Sequence, residues 1–210
     1  MLDDIQRGLE TLYRVETELD VRDFLLDAAA RDSFAPTRSP REQLLIAESD
    51  GGLELGLFLD AAVLDNLAAR DPRRGLDDGN LSDFLLMVEG VSHFVYLAWR
   101  ARARRQVSAL ELELQAEIDK YVLLALEGDR FDATTSRVLH ERLYERVHFC
   151  DPEGTEAGDR YRMANDLAAR MVRRLEVLYA EKGRFAELRD ALSRFYRMGQ
   201  ADKLQFVRAA

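Results

Sequence analysis

The sequence predicts a mainly α fold, a single compact helical domain over residues 1–210 with about eight helices around a central antiparallel helical hairpin and a small N-terminal β-hairpin. Three observations carry this. From Asp60 onward, apolar residues recur at spacings of three and four, the period of a helix with one buried face. The interruptions, at Arg70–Asn80, Gly128–Thr135 and Cys150–Gly158, are short polar loops rather than domain linkers. Between Leu44 and Asp60 the pattern changes: two apolar arms, the second alternating, flank a Gly-rich turn. With 210 residues, 47 % of them hydrophobic, the chain has material for a sizeable core and falls outside the disordered and collagen-like classes.

Residues 1–79 read as N-terminal helices plus the β-hairpin, and residues 80–210 as the helical bundle. Leu2, Ile5, Leu9 and Leu12 make one stripe of an amphipathic first helix, and a short second helix is expected around Val21 to Ala30 before Pro36 and Pro40 interrupt. In the hairpin, Leu44-Leu45-Ile46-Ala47 and the alternating Leu53, Leu55 and Leu57 flank Ser49-Asp50-Gly51-Gly52. A competing signal exists, since Ser39, Pro40 and Glu42 could cap a helix in the same place; the hairpin is preferred. A lone two-stranded hairpin is marginal in water, so it must lie on helices.

Asn80–Arg104 is apolar around nearly its whole circumference, as in a helix enclosed by others. Its Leu81–Trp99 stretch approaches membrane-spanning length but holds Asp83, Glu89 and His93, which are costly in hydrocarbon, so no membrane role is expected. Val107-Ser108-Ala109-Leu110-Glu111-Leu112 then supplies an N-cap at Ser108, a capping-box partner at Glu111 and a staple of Val107 with Leu112. About three residues join the two helices, which makes Asn80–Arg104 and Ala109–Glu127 antiparallel neighbours. A fifth long helix is expected from near Thr135. The next carries Tyr161, Ala164, Ala168, Met171, Leu175 and Leu178 as a two-heptad seam ended by Gly183. Phe185, Leu188, Leu192 and Phe195 stripe another helix, closed at Gly199, and a last short one carries Leu204 and Phe206.

The single cysteine, Cys150, allows no internal disulfide, and the acidic start Met1-Leu2-Asp3-Asp4 lacks the features of a secretory signal; a cytoplasmic location is expected. Cys150 itself is read as inert packing. A net charge of −9 argues against general nucleic-acid binding. That charge is polarised: residues 159–210 carry net +5 and residues 1–158 net −14, an asymmetry that could place an acidic partner, or a second copy of the chain, against the C-terminal helices. Lys120, Lys182 and Lys203 are the only lysines among the 30 basic residues.

No phosphate-binding glycine loop, nucleophile elbow or Cys-x-x-Cys pair occurs. His140-Glu141-Arg142-Leu143-Tyr144 has tyrosine where a zinc-protease helix needs its second histidine. What remains is a set of interior carboxylates and imidazoles. Glu89 and His93 share a helix face, as do Glu113 and Glu117, and Glu145 with His148 gives the Glu-x-x-His spacing of bundle di-iron proteins once, where those proteins need it twice. Across the helical hairpin, His93 and Glu117 differ in axial height by roughly 5 Å, so contact is feasible. The preferred reading is hydrogen-bonded core pairs without metal. The alternative is a carboxylate–histidine metalloenzyme using Fe, Mn or Zn at Glu89, His93, Glu113, Glu117, Glu145 and His148. Glu111 is set aside because capping explains it. Arg100, Arg102, Arg104 and Arg105 could grip an anion, or simply complement a helix C-terminus. The function expected is that of an intracellular helical interaction or regulatory protein with no identifiable catalytic motif.

Overall fold

The chain begins with helix α1, Leu2–Tyr13, which buries Ile5, Leu9 and Tyr13 on one stripe and ends at Arg14 in the left-handed conformation (φ 54°). The structure is a computed structural model that describes residues 1–34, 40–49, 52–126 and 133–208. Among these residues it has nine α-helices and one three-stranded sheet.

The expected helix around Val21 to Ala30 is instead three pieces: a 3-10 turn at Val21–Phe24, strand β1 at Leu25–Leu26, and helix α2 at Ala28–Phe34. Two aspartates divide the segment. Asp20 accepts from the Arg22 amide (3.0 Å) and Asp27 from the Ala30 amide (2.7 Å), so each starts a new turn and the two residues between them are left extended.

The hairpin forms as read. Strand β2, Glu42–Ser49, pairs antiparallel with β3, Gly52–Leu59, from Glu42 opposite Leu59 to Ser49 opposite Gly52. The turn residues Asp50 and Gly51, and the competing cap Ser39, lie outside the described residues. Sequence reading missed β1, which adds parallel to β3 and gives the order β1-β3-β2. Two residues show no periodicity, and only the β3 edge fixes them. Leu57, Phe58 and Leu59 are all buried, so both faces of the sheet are covered, one partly by the Arg31 guanidinium 4.3 Å from the Phe58 ring centroid.

Helix α3, Ala61–Ala69, is capped by Asp60 and leads through a loop to the central helix α4, Leu81–Arg102. Among the described residues α4 is the one helix long and apolar enough to cross a membrane, and 78 % of its apolar window is buried inside the fold. Gly90 lets the sheet lie close on it: a Cβ there would stand 2.8 Å from Leu57 Cδ1 and 3.1 Å from the Glu42 side chain. Helix α5, Ala109–Leu126, returns antiparallel to α4 after a turn in which Ser108 accepts from the Glu111 amide at 3.1 Å.

The expected long fifth helix is short. Helix α6, Ala133–His140, passes into one π turn, Glu141–Glu145, that buries Leu143 and Tyr144 before the chain leaves helical geometry; residues 127–132 lie outside the described set. Helix α7, Glu156–Leu178, packs against α5, and its Ala164, Ala168, Met171 and Leu175 are buried there. Most of the seam is therefore used inside the fold, with Leu178 left at the surface. Helices α8, Phe185–Arg197, and α9, Gln200–Arg208, close the structure. Cys150, expected to be packed, is exposed.

Replacing Ser108 by Ala removes the cap of α5 and should lower the unfolding free energy by about 0.5–2 kcal/mol in urea denaturation, because Ala cannot accept from the orphan amide.

Candidate functional site

Glu111, Glu113, Gln115, Glu117 and Asp119 alternate along α5 with apolar residues, and on a helix of 3.6 residues per turn that alternation sends them to two opposite sides. Each side builds a buried polar network.

Toward α4, β2 and α7, the His93 ring lies between two carboxylates: Nδ1 is 3.7 Å from Glu42 Oε1, and Nε2 is 3.5 Å from Glu113 Oε2. Arg160 of α7 places Nε 3.6 Å from the other oxygen of Glu113. Lys120 Nζ bridges Glu89 (2.7 Å) and Glu117 (2.8 Å). All these side chains are buried or nearly so, from 8 % exposed for His93 to 21 % for Arg160. Burial alone would deprotonate His93, but the Glu113 and Glu42 carboxylates outweigh it and hold its pKa well above the ordinary imidazole range. Glu42 is pushed up by burial against the pull of His93, and Glu117 by burial against the pull of Lys120. For Glu89 burial is outweighed by Lys120 and His93, and its pKa falls.

On the opposite side of α5, Asp119 is fully buried and accepts hydrogen bonds from Tyr13, from Ser92 (2.5 Å) and from Gln115 (2.8 Å). Lys203 of α9, also fully buried, donates to Gln115 Oε1 at 2.8 Å and lies 4.3 Å from the Tyr96 ring centroid. Tyr96 donates to Glu111 (2.5 Å), which also takes Arg100 (3.1 Å). Burial lifts Asp119 to about 6 despite these donors, and lowers Lys203 to about 7 despite Glu111 and Asp119.

Of the residues singled out in the sequence, Glu89, His93, Glu113 and Glu117 are thus gathered in one place, although His93 faces Glu113 rather than Glu117. Glu145 and His148 are not part of it: the π turn ends the helix between them and leaves both exposed, so the Glu-x-x-His spacing never becomes a helical face. The four arginines do not act as one cluster. Arg100 is buried on Glu111, Arg102 pairs with Glu18 (2.7 Å), and Arg104 and Arg105 are exposed. Glu111, set aside as a cap, turns its carboxylate inward.

Glu42, Lys120, Arg160, Asp119 and Lys203 were missed. Two of them had a signal, because Lys120 and Lys203 are two of only three lysines in an arginine-rich chain. Glu42 had none, since it reaches His93 only through the packing of the sheet on α4.

A third feature lies at the surface. A groove of about 820 Å³ between α6, α7 and α9 is rimmed by Arg170, Arg173, Arg174 and Arg208 over a floor that includes Ala169, Val177, Leu178 and Val207. Val177 and Leu178 are 42 % and 37 % exposed. Arg170 pairs with Asp166 (2.9 Å) and Arg173 with Glu176 (3.1 Å), Arg174 donates to the Phe206 carbonyl (3.0 Å), and Arg208 meets no carboxylate among the described residues.

Replacing Lys120 by Met should cost about 3–5 kcal/mol in chemical denaturation, because Glu89 and Glu117 would be left as buried charges without their cation. The second network makes stability depend on pH with a trough. Asp119 holds its proton in the fold up to about pH 6, so the stability it contributes at low pH is lost as pH rises toward 6. Lys203 loses its proton above about pH 7, so its contribution returns only as pH rises from 7 toward its unfolded value. Unfolding free energies measured against pH should show limbs of about 1.4 kcal/mol per unit, with Asp119→Asn abolishing the acid limb and Lys203→Met the alkaline one.

Comparison with protein-family models, with curated proteins and with solved structures finds no match to this chain.

Proposed function

We propose that the chain is a helical interaction protein whose C-terminal helices receive an acidic, amphipathic segment of a protein partner. The observation that carries this reading is the groove between α6, α7 and α9, where four guanidinium groups surround an exposed apolar floor. That combination matches a helix with leucine-like anchors on one face and carboxylates beside them. Exposed arginine–carboxylate pairs such as Arg170–Asp166 are worth little, so exchanging the internal carboxylate for one on a partner costs little. The charge asymmetry adds to this, because the helices that form most of the groove belong to the net-positive segment 159–210. The buried polar networks leave this surface untouched.

A fluorescein-labelled helical peptide with a Leu/Glu heptad pattern tests the proposal by anisotropy. Binding should weaken steadily from 50 mM to about 500 mM salt as the rim charges are screened. Arg170→Glu with Arg174→Glu should weaken it by about tenfold or more, mainly through slower association, and should flatten the salt dependence. Equal affinity for the matching Leu/Lys peptide, or no effect of the double substitution, would refute the reading.

A further inference from the structure

We propose that Glu42, Glu89 and His93 bind one first-row divalent cation of the Mn²⁺, Fe²⁺ or Zn²⁺ class where strand β2 crosses helix α4. Each of the three offers one ligand atom, and these atoms lie within 4.8 Å of one another. Ligands about 2.0–2.2 Å from a shared ion stand roughly 3–4 Å apart, and the 3.7 Å between His93 Nδ1 and Glu42 Oε1 falls in that range. The same distance is too long for a hydrogen bond.

A hydrogen-bonded core pair would leave different traces. Glu42 Oε1 and His93 Nε2 have no hydrogen-bond partner, although the side chains are only 9 % and 8 % exposed. Buried carboxylate oxygens are rarely left so, and an unpartnered Glu42 Oε1 with an imidazole nitrogen, His93 Nδ1, 3.7 Å away points to a cation as their common partner.

The surroundings fit the same ligand. An imidazole bound to metal through one nitrogen typically turns the other toward a carboxylate, which fixes ring and tautomer. With Nδ1 toward Glu42, Nε2 of His93 is 3.5 Å from Glu113, whose other oxygen faces Arg160. Lys120 holds Oε2 of Glu89 at 2.7 Å and leaves Oε1 to the site. Four carboxylates, Glu42, Glu89, Glu113 and Glu117, stand against the two fixed cations Lys120 and Arg160. With His93 neutral as a ligand, the remaining charge of −2 is balanced by one divalent cation. Gly90 completes the cradle, since a Cβ there would stand 3.1 Å from Glu42 Oε1. Two carboxylates and one imidazole suit Mn²⁺, Fe²⁺ or Zn²⁺, and the imidazole discriminates against Mg²⁺ and Ca²⁺.

The full chain, stripped with EDTA, is titrated with Mn²⁺ while free Mn²⁺ is followed by electron paramagnetic resonance, and with Zn²⁺ by calorimetry. One site per chain is expected, with Mn²⁺ retained in excess Mg²⁺ and a melting temperature that rises with metal concentration. Glu42→Gln and His93→Gln should each weaken binding at least tenfold. Glu113→Gln, a positioning change, should weaken it by about 10–100-fold. Glu145→Gln with His148→Gln, both exposed, should leave it unchanged. Three results would each overturn the proposal: no binding or melting shift at about 1 mM Mn²⁺ or Zn²⁺, full displacement by Mg²⁺, or unchanged affinity in a His93→Gln variant whose circular dichroism matches the parent. The melting shift of the unmodified chain decides the question even if a variant fails to fold. No residue of this site lines the groove, so the two proposals stand or fall separately.

Discussion

Helix α5 cannot exist alone in water or in oil. It carries Glu111, Gln115 and Asp119 on one side and Glu113, Glu117 and Lys120 on the other, and all of them are buried or nearly so. Each buried charge must meet a counter-charge or a donor, since an uncompensated one costs several kcal/mol. The rest of the molecule is arranged around that requirement. Helices α1 and α9 close on one side and bring Tyr13 and Lys203; α4, α7 and the sheet close on the other and bring His93, Arg160 and Glu42. The position of the last helix follows from this constraint, because Lys203 in α9 reaches Gln115, 88 residues earlier in the chain.

Helix α4 plays the complementary part. Its circumference is mostly apolar, so it can be packed on most sides without new polar demands, and of the polar groups it buries, Ser92, His93 and Arg100 each face a carboxylate of α5 while Asp83 takes Arg41 and Asn66. The sheet is small, and its stability is borrowed from this helix through Leu57 at Gly90. In return it supplies Glu42, the carboxylate that separates an ordinary His–Glu pair from a three-sided site. A feature too weak to stand alone is what completes the cluster.

The parts legible in the sequence were those whose determinants are local. The Ser108 cap, the α4–α5 hairpin and the β2–β3 hairpin each depend on residues within a few positions of one another, and each is present. The site was half legible for the same reason: i, i+4 spacing places Glu89 with His93 and Glu113 with Glu117, but says nothing of which pair meets which. An axial offset can be estimated from rise per residue, yet rotation about the helix axis decides the partner, and it turned His93 to Glu113. Strand β1 and Glu42 depend on tertiary pairing alone. The misreadings have one cause, the assumption that helical spacing persists: the π turn breaks it before His148, and two aspartates break it between Val21 and Ala30.

Buried ion networks are poor sources of stability, since well-packed apolar residues of similar volume often serve a fold as well or better. The two networks of α5 differ in this respect. Around Asp119 each carboxylate has its donors, and the atoms left unpartnered are guanidinium nitrogens of Arg100 and the hydroxyl of Tyr196; such a network specifies how α9 and α1 dock. Around His93 the groups are equally crowded but unevenly satisfied, with unpartnered atoms on Glu42, His93 and Arg160 and more acid than fixed base. Both networks thus leave atoms unpartnered, and the difference between them lies in the kind of atom. Glu42 Oε1 is the one buried carboxylate oxygen without a hydrogen-bond partner among the described residues, and it lies where a strand, a helix and an imidazole converge, which marks this side as the one shaped for something besides folding.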